Sequence, residues 1–532
     1  MKRRYLVALW LVVTSIWGGE SGASQQITPA PSGGRITLLQ AVQSTLNDHP
    51  QLRIQQAQVE ANRGIKDQNS GIFDPLIQSS FVQTHSDVPL TQADQLLALQ
   101  SGVATDHDVS DLSNYLFKLD KLFRNGIEIT PVFQLNRNTD FLTDPGGVNA
   151  SALSLLVNIP LLRGRGKKAV AAREEAAARE VEASLFDLDQ VIAQLIANTT
   201  TSYWNLVAAE KAVAVALDAE ARGRTYLENV KALVAADQVP RNDLNEVTAN
   251  LASRSATRVA AEQQLATARQ QLALDMGTPA TAMLSGINAG EDFPPADQNP
   301  PSDSMASLTY YLKEGLKTRG DYLASARRNV EAETLVIGAK NALLPQVNLT
   351  LSAGYSGLQE GRSVGNFLAA SGAAIPGPIA SGGINYTFPT GNHLARGQLK
   401  EARATAIQAE QRTLDLARTI SFQISVAVQA VRNSILQLKE ANQAVLSFQA
   451  ALDGEREKYR TGFGSIVDVL TTEDRLNAAL NTQIQARLAY AQALIQFRLA
   501  TGTVVEPGRA QQTLAPQIFS TLPFTAAPEE RP

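Results

Sequence analysis

The sequence predicts an α+β membrane protein with two internal structural repeats. Very long coiled-coil helices continue from a β-barrel that several copies of the chain must share. Three observations lead there: anchor residues recur at a constant offset, apolar stripes of helical spacing run too far for a compact domain, and short segments alternate strictly between apolar and polar residues.

The repeat is read by subtraction. Asp243 and Asp468 differ by 225, and so do Gly277 and Gly502. Asn242-Asp243-Leu244 opens one helix and Val467-Asp468-Val469 opens the other, while Gly277-Thr278 and Gly502-Thr503 close them. Pro75 and Pro345, 270 apart, stand at equivalent breaks earlier in each half, and the larger offset reflects a longer insertion in the first half. A two-fold repeat of this length is a duplication, since solenoid arrays repeat every ~20–50 residues.

Each half reads as helix, strands, very long helix, medium helix. The first repeat, 24–277, gives a helix over about 38–70, strands over about 76–160, and helices over about 168–235 and 241–276. The second, 303–503, gives about 303–341, 346–389, 394–461 and 466–501. Between them, 278–302 is rich in Pro, Gly, Asp and Asn and reads as a linker. The tail 504–532 is loop-like for the same reason. At the other end, Lys2, Arg3 and Arg4 precede an apolar run from Tyr5 to Trp17. Ser21-Gly22-Ala23 then supplies small residues, so 1–23 reads as a secretory signal. That run is shorter than the ~20 apolar residues that span a bilayer.

Composition excludes several classes. A net charge of −4 over 532 residues gives no reason to expect nucleic acid. Cysteine is absent, which excludes disulfides, thiol catalysis and Cys-type zinc sites. His49, His85, His107 and His393 are far apart in sequence and give a histidine metal cluster little support. No Ser-His-Asp order, paired active-site carboxylates or GxxxxGK[ST] loop stands out, so the chain reads as neither enzyme nor ATPase, with no cofactor.

The long helices carry the strongest local signal. A segment such as 394–461 would be on the order of 100 Å long at ~1.5 Å per residue. Ile424, Val428, Val431, Ile435, Leu438 and Val445 keep a coiled-coil spacing with Asn442 on the seam. Leu185, Leu188, Ile192, Leu195 and Thr199 form the matching seam of the first half. On this feature alone, a solvated coiled-coil rod in the periplasm is the competing reading.

The strands favour a barrel. Val347, Leu349, Leu351, Ala353 and Tyr355 alternate with Asn348, Thr350, Ser352 and Gly354. Ile384, Tyr386 and Phe388, and Leu153, Leu155, Val157 and Ile159, alternate in the same way. One apolar and one polar face suits a strand between lipid and a wet lumen. It also suits a sheet over a soluble core, but the flanking helices are too long to cover such a sheet. Pro75, Pro160, Pro345 and Pro389 mark the strand–helix junctions, because proline ends the helical hydrogen-bond ladder. A further hairpin, near 114–123 and 127–137, turns at Asn125-Gly126. It lies in the insertion at about 86–150, and either extends an extracellular loop or adds strands. Four to six strands cannot close a membrane barrel, which needs at least ~8. Open edges are not tolerated in lipid, so several copies must combine.

With these features in order, the chain resembles the TolC family of outer-membrane factors over about 36–503. The specific pieces are Tyr459-Arg460-Thr461-Gly462-Phe463-Gly464-Ser465-Ile466-Val467-Asp468-Val469-Leu470, with Leu476 and Ala500-Thr501-Gly502 after it. The weaker copy is Val239-Pro240-Arg241-Asn242-Asp243-Leu244, and a second marker is Asn158-Ile159-Pro160-Leu161-Leu162-Arg163-Gly164-Arg165-Gly166. The resemblance implies a homotrimer in the outer membrane of a Gram-negative bacterium, with one shared β-barrel and one helical tunnel through the periplasm. It implies a passive exit duct for efflux or type I secretion, served by a periplasmic adaptor and an inner-membrane RND or ABC pump.

Residue roles follow from the same resemblance. Asp468 matches the first acidic position of the family's entrance constriction, where carboxylates repeated by symmetry favour cations. The second acidic position falls on Thr471, with Glu473 and Asp474 close by. Tyr459 matches the aromatic that bonds across the closed tip, and Asp243 is its expected partner from the first repeat. The arginine of that network falls on Gly464. Gly462 matches the turn glycine, expected at positive φ, where an adaptor would dock. Asp468 and Asp243 also sit near helix starts, where a carboxylate caps and complements the dipole. Arg163, Arg165, Lys167 and Lys168 fall near the inner leaflet surface, either against outer-membrane lipid phosphate or as a solvated face.

Overall fold

Proline and glycine divide the chain into its elements. The computed structural model describes residues 34–140, 144–278, 286–296, 300–361, 365–366, 370, 375–505 and 516–523. The expected signal at 1–23 lies outside these residues, as do parts of the linker 278–302 and most of the tail 504–532. In chain order the elements are β1 (Arg35–Ile36), α1 (Leu38–Asp48), α2 (Pro50–Ser70), β2 (Leu76–Pro89), α3 (Gln92–Gln100), β3 (His107–Leu122), β4 (Glu128–Asp140), β5 (Asp144–Pro160) and α4 (Lys167–Val170). They continue as α5 (Ala172–Ala235), α6 (Arg241–Asp275), β6 (Asn288–Ala289), α7 (Met305–Thr318), α8 (Gly320–Ala342), β7 (Gln346–Glu360), β8 (Ile375–Thr387), α9 (His393–Arg460) and α10 (Ile466–Ala500).

The helical segment expected at about 38–70 is interrupted where Pro50 starts a new helix, capped by the His49 ring. The corresponding interruption in the second half falls at Arg319, between α7 and α8. His49 and Arg319 are 270 apart, the offset already seen for Pro75 and Pro345. Each interruption receives the end of a helix returning from the far tip. Gly277 (φ 71°) closes α6 against His49, and Gly502 (φ 67°) closes α10 against Thr318 and Arg319.

The two long helices form the shaft. α5 has 64 residues and α9 has 68, roughly 95–100 Å each at ~1.5 Å per residue. α2 and α8 pack on the portions nearer the sheet, and α6 and α10 on the portions nearer the tip. Ile424, Val428, Val431 and Leu438 are buried along the α9 seam, and Asn442 accepts a bond from Gln483 Nε2 (2.8 Å) instead of lying unpaired. In the first half Ile192, Leu195 and Thr199 are buried, but Leu185 is exposed. The seam therefore begins later than the spacing implied. Two aromatic-centred cores sit where the repeats meet the interruptions. Tyr203 and Trp204 stack edge to face in one, and Tyr311 and Phe497 in the other.

The insertion adds strands. β2, β3, β4, β5, β7 and β8 form one antiparallel six-stranded sheet in that order, four strands from the first half and two from the second. The Asn125-Gly126 turn sits at the helical end of the sheet: Asn125 O accepts from Gly166 N (3.0 Å), and a Cβ on Gly126 would strike Gly164 O. α3, which alternation gave no reason to expect, joins β2 to β3 at the opposite end and is capped by Thr91. Pro75 and Pro345 directly precede β2 and β7, Pro160 ends β5, and Pro389 follows β8.

Register gives the sheet two unlike faces. One row runs Ser79, Phe117, Phe133, Leu153, Tyr355, Pro378 across all six strands. Rows of the other face run Asn114, Asn136, Ala150 and Glu128, Asn158, Thr350, Gly383. On β7 the apolar Leu351, Ala353 and Tyr355 are exposed, while Ser352, Gly354 and Ser356 are half-buried. Among the described residues, no helix is long and apolar enough to cross a membrane.

Candidate functional site: the helical tip

Two tight turns close the end of the shaft farthest from the sheet. Asp237 takes φ 51° in the turn from α5 to α6, and Gly462 takes φ 80° in the turn from α9 to α10. The expected turn glycine thus has the left-handed backbone it was expected to need. Open space surrounds Gly462, and the next residue, Phe463, is 89% exposed at the apex. Gly464 is different: a Cβ there would lie 3.1 Å from Lys458 Cβ and 3.2 Å from Tyr459 N. Glycine at this position lets the turn fold tightly, where the family pattern has arginine.

Asp468 is exposed and caps α10. Its carboxylate accepts from Ser465 N (3.3 Å) and Ser465 Oγ (2.9 Å), while its own N–H donates to Ser465 Oγ (3.2 Å). This reciprocal box fixes the carboxylate on the outer turn of the helix. Thr471, next on the same side of the pattern, carries no charge.

Tyr459 is partly buried against Val230, Val247, Ile466 and Val469, and its hydroxyl has no hydrogen-bond partner. Burial pushes its pKa up, and the nearby Asp243 charge adds to the rise. Asp243 is therefore close enough to be felt but accepts no bond from Tyr459 within one chain. The expected pairing of these two residues is a proximity here, not a lock.

The charged lock that one chain does make lies about two turns above the tip and ties all four helices together. Glu473 of α10 is fully buried, bonded to Arg222 of α5 and, at 3.1 Å, to Arg254 of α6. Arg456 of α9 approaches the same carboxylate at 3.8 Å and bonds Tyr226 of α5. Arg254 also reaches Asp474 (3.0 Å) and the Ala219 carbonyl (3.0 Å). A buried carboxylate without its partners would cost several kcal/mol, so the three arginines and Glu473 depend on one another. The sequence held a signal for this: Val469, Glu473, Leu476 and Leu480 keep the coiled-coil spacing, and a charge on that seam requires a partner. Which arginines answer it was not legible, because Arg222, Arg254 and Arg456 come from three other helices.

Residues 316–503 match the family described as Outer membrane efflux protein. That stretch, about a third of the chain, is what resembles the family. It is 24% identical over 339 residues to the pyoverdine export outer membrane protein OpmQ of Pseudomonas putida, covering 62% of this chain and 66% of that protein. The Pseudomonas aeruginosa OpmQ is also 24% identical, over 368 residues, 68% of this chain and 72% of the relative. The fold matches the CmeC outer membrane channel of Campylobacter jejuni with a TM-score of 0.64 and 16% identity, over 90% of each chain. The fold also matches the outer-membrane channel OprN with a TM-score of 0.60 and 17% identity, over 88% of this chain and 90% of that one.

Proposed function

We propose that three copies of this chain form a passive exit duct, with one barrel in the outer membrane and a helical tunnel ending at the tip. The observation that carries this reading is the six-stranded sheet with one apolar and one polar face, set on helices of 64 and 68 residues. Such a sheet has two open edges and cannot close alone, whereas lipid tolerates no open edge. The helices support the same arrangement. α9 leaves Leu414, Phe422, Leu436 and Leu446 exposed in a single copy, Phe422 at 70%. An apolar stripe of this length along one helix fits burial against a second copy.

In the proposed duct the turns at 236–240 and 461–465 surround the periplasmic mouth. Phe463, projecting beside Gly462, gives an adaptor an apolar hold, and three Asp468 carboxylates ring the opening. Cargo arrives from a pump that supplies the energy. The chain itself acts as conduit and not as catalyst. The OpmQ relatives are named for pyoverdine export, which makes efflux of a secreted small molecule the first substrate class to assay.

The test is the native mass in detergent, corrected for bound detergent, by light scattering. Three chains of 57.0 kDa or slightly less each support the shared duct. A monomer or dimer that stays in solution without detergent rejects it and leaves a periplasmic rod.

A further inference from the structure

We infer that the duct's barrel has 18 strands, with the β3–β4 hairpin built into its wall, and that its lumen admits bulky hydrated cargo. The inference rests on the trimeric reading above and adds the number of strands per copy, six.

The hairpin has the properties of wall and not of loop. β3 and β4 have 16 and 13 residues, comparable with the 13 to 17 of the other strands and beyond the ~9–11 that span a bilayer. They lie in the middle of the sheet order, between β2 and β5, and the pairing is continuous from β2 to β8. In the middle rows the two faces also continue through them, with Asp111 and Lys121 falling towards the ends of β3. Phe117 and Phe133 extend the apolar row of Leu153 and Tyr355, while Asn114, Gln134 and Asn136 extend the polar face. An excursion into the extracellular medium would have no use for that match. The turn at Asn125-Gly126 is short and pinned at the helical end, which suits the periplasmic turns of membrane barrels.

The open edges fit one another. β2, with 14 residues, runs away from the helices, and β8, with 13, runs back towards them. β2 of one copy therefore meets β8 of the next in antiparallel sense and with similar length, so no edge is left over. Three copies give 3 × 6 = 18 strands. With strands about 4.8 Å apart and tilted by about 40°, such a cylinder is roughly 36 Å across at the backbone. Four strands per copy would give roughly 24 Å by the same geometry. Barrels of ~16–18 strands keep an aqueous channel. The band facing it here carries Asn114, Asn136, Asn158, Thr350, Ser352 and Ser381 together with the charged Lys118, Asp120 and Glu128, hydrogen-bonding groups that leave a solute's hydration in place.

The natural absence of cysteine makes the test direct. Phe133→Cys and Gln134→Cys on β4, and Leu351→Cys and Ser352→Cys on β7, are each labelled with a fluorophore in reconstituted vesicles. Quenching by nitroxide lipids is then measured on preparations of wild-type native mass, with Ile129→Cys and Glu128→Cys as a second β4 pair. The expected result is severalfold stronger quenching at Phe133 than at Gln134, with the same contrast between Leu351 and Ser352. Contrast on β7 with none in either β4 pair would overturn the 18-strand wall while leaving the duct intact. Loss of contrast on β7 as well would overturn both.

Discussion

Glu331 couples the shaft to pH. It faces a small cavity between α2, α5 and α8 that is also lined by Asn62, Asn69, Arg173 and Glu180. On α8, Arg328 already serves Glu180 (3.0 Å) and Asp187 of α5, which leaves Glu331 facing a carboxylate with its cation engaged elsewhere. Burial first, and then the charge of Glu180, push Glu331 from an ordinary value of 4.5 to about 7. The folded chain thus holds this proton over a range in which the unfolded chain has released it. Stability from this site is greatest below about pH 4.5 and falls as pH rises to about 7, where both states are ionised. Glu331→Gln, fixed in the neutral form, removes that slope. Melting temperatures of the solubilised protein between pH 5 and 8 will fall more steeply for the wild type than for Glu331→Gln, and parallel curves would reject the assignment. Nothing in the local sequence marks Glu331, because its shift is made by a helix about 150 residues earlier in the chain.

At the scale of elements, the glycines that close α6 and α10 differ in kind from the one at the tip turn. All three have positive φ, so each resists a side chain through backbone strain of about 1 kcal/mol. Gly277 also lies against fixed backbone: a Cβ there would be 2.6 Å from His49 Cα. Gly462 has nothing within 4 Å. Gly277→Ala will therefore displace the α6 end from the α1–α2 corner and lower the melting temperature by several degrees, whereas Gly462→Ala costs only the strain. Equal losses in a paired thermal melt would show that the joint at His49 yields freely. The joints belong to what the sequence made legible, since Gly277 and Gly502 were anchors of the repeat. The long helices were legible too, because a seam repeated over many turns is hard to mistake. The sheet was only partly so. β5, β7 and β8 alternate plainly, but β3 mixes Asp, Ser and Lys with Leu and Phe on both faces, and its place is set by pairing with β2 and β4. Leu185 shows the converse error: it has seam spacing, yet no neighbouring helix covers it at that height.

At the scale of the whole molecule, Asp468 has one role within the chain and a second in the proposed trimer. Within the chain it completes the cap of α10 through Ser465. In the proposed trimer it becomes a ring of three carboxylates at the mouth, a role that arises only through symmetry and that no single helix displays. Three like charges in a narrow wet opening raise the local cation concentration and repel anions. Asp468→Asn separates the functions, because the amide oxygen still accepts from Ser465 N while the charge is gone. Asp468→Ala removes both and costs about 1 kcal/mol of capping. In planar bilayers under a salt gradient, the reversal potential of both variants will move towards zero, showing weaker cation preference. Only the alanine variant will also melt lower. A wild-type reversal potential in Asp468→Asn would mean that this carboxylate is a cap alone, and that selectivity at the mouth must be sought in other carboxylates of the tip, such as Asp243 of α6 or Asp474 of α10.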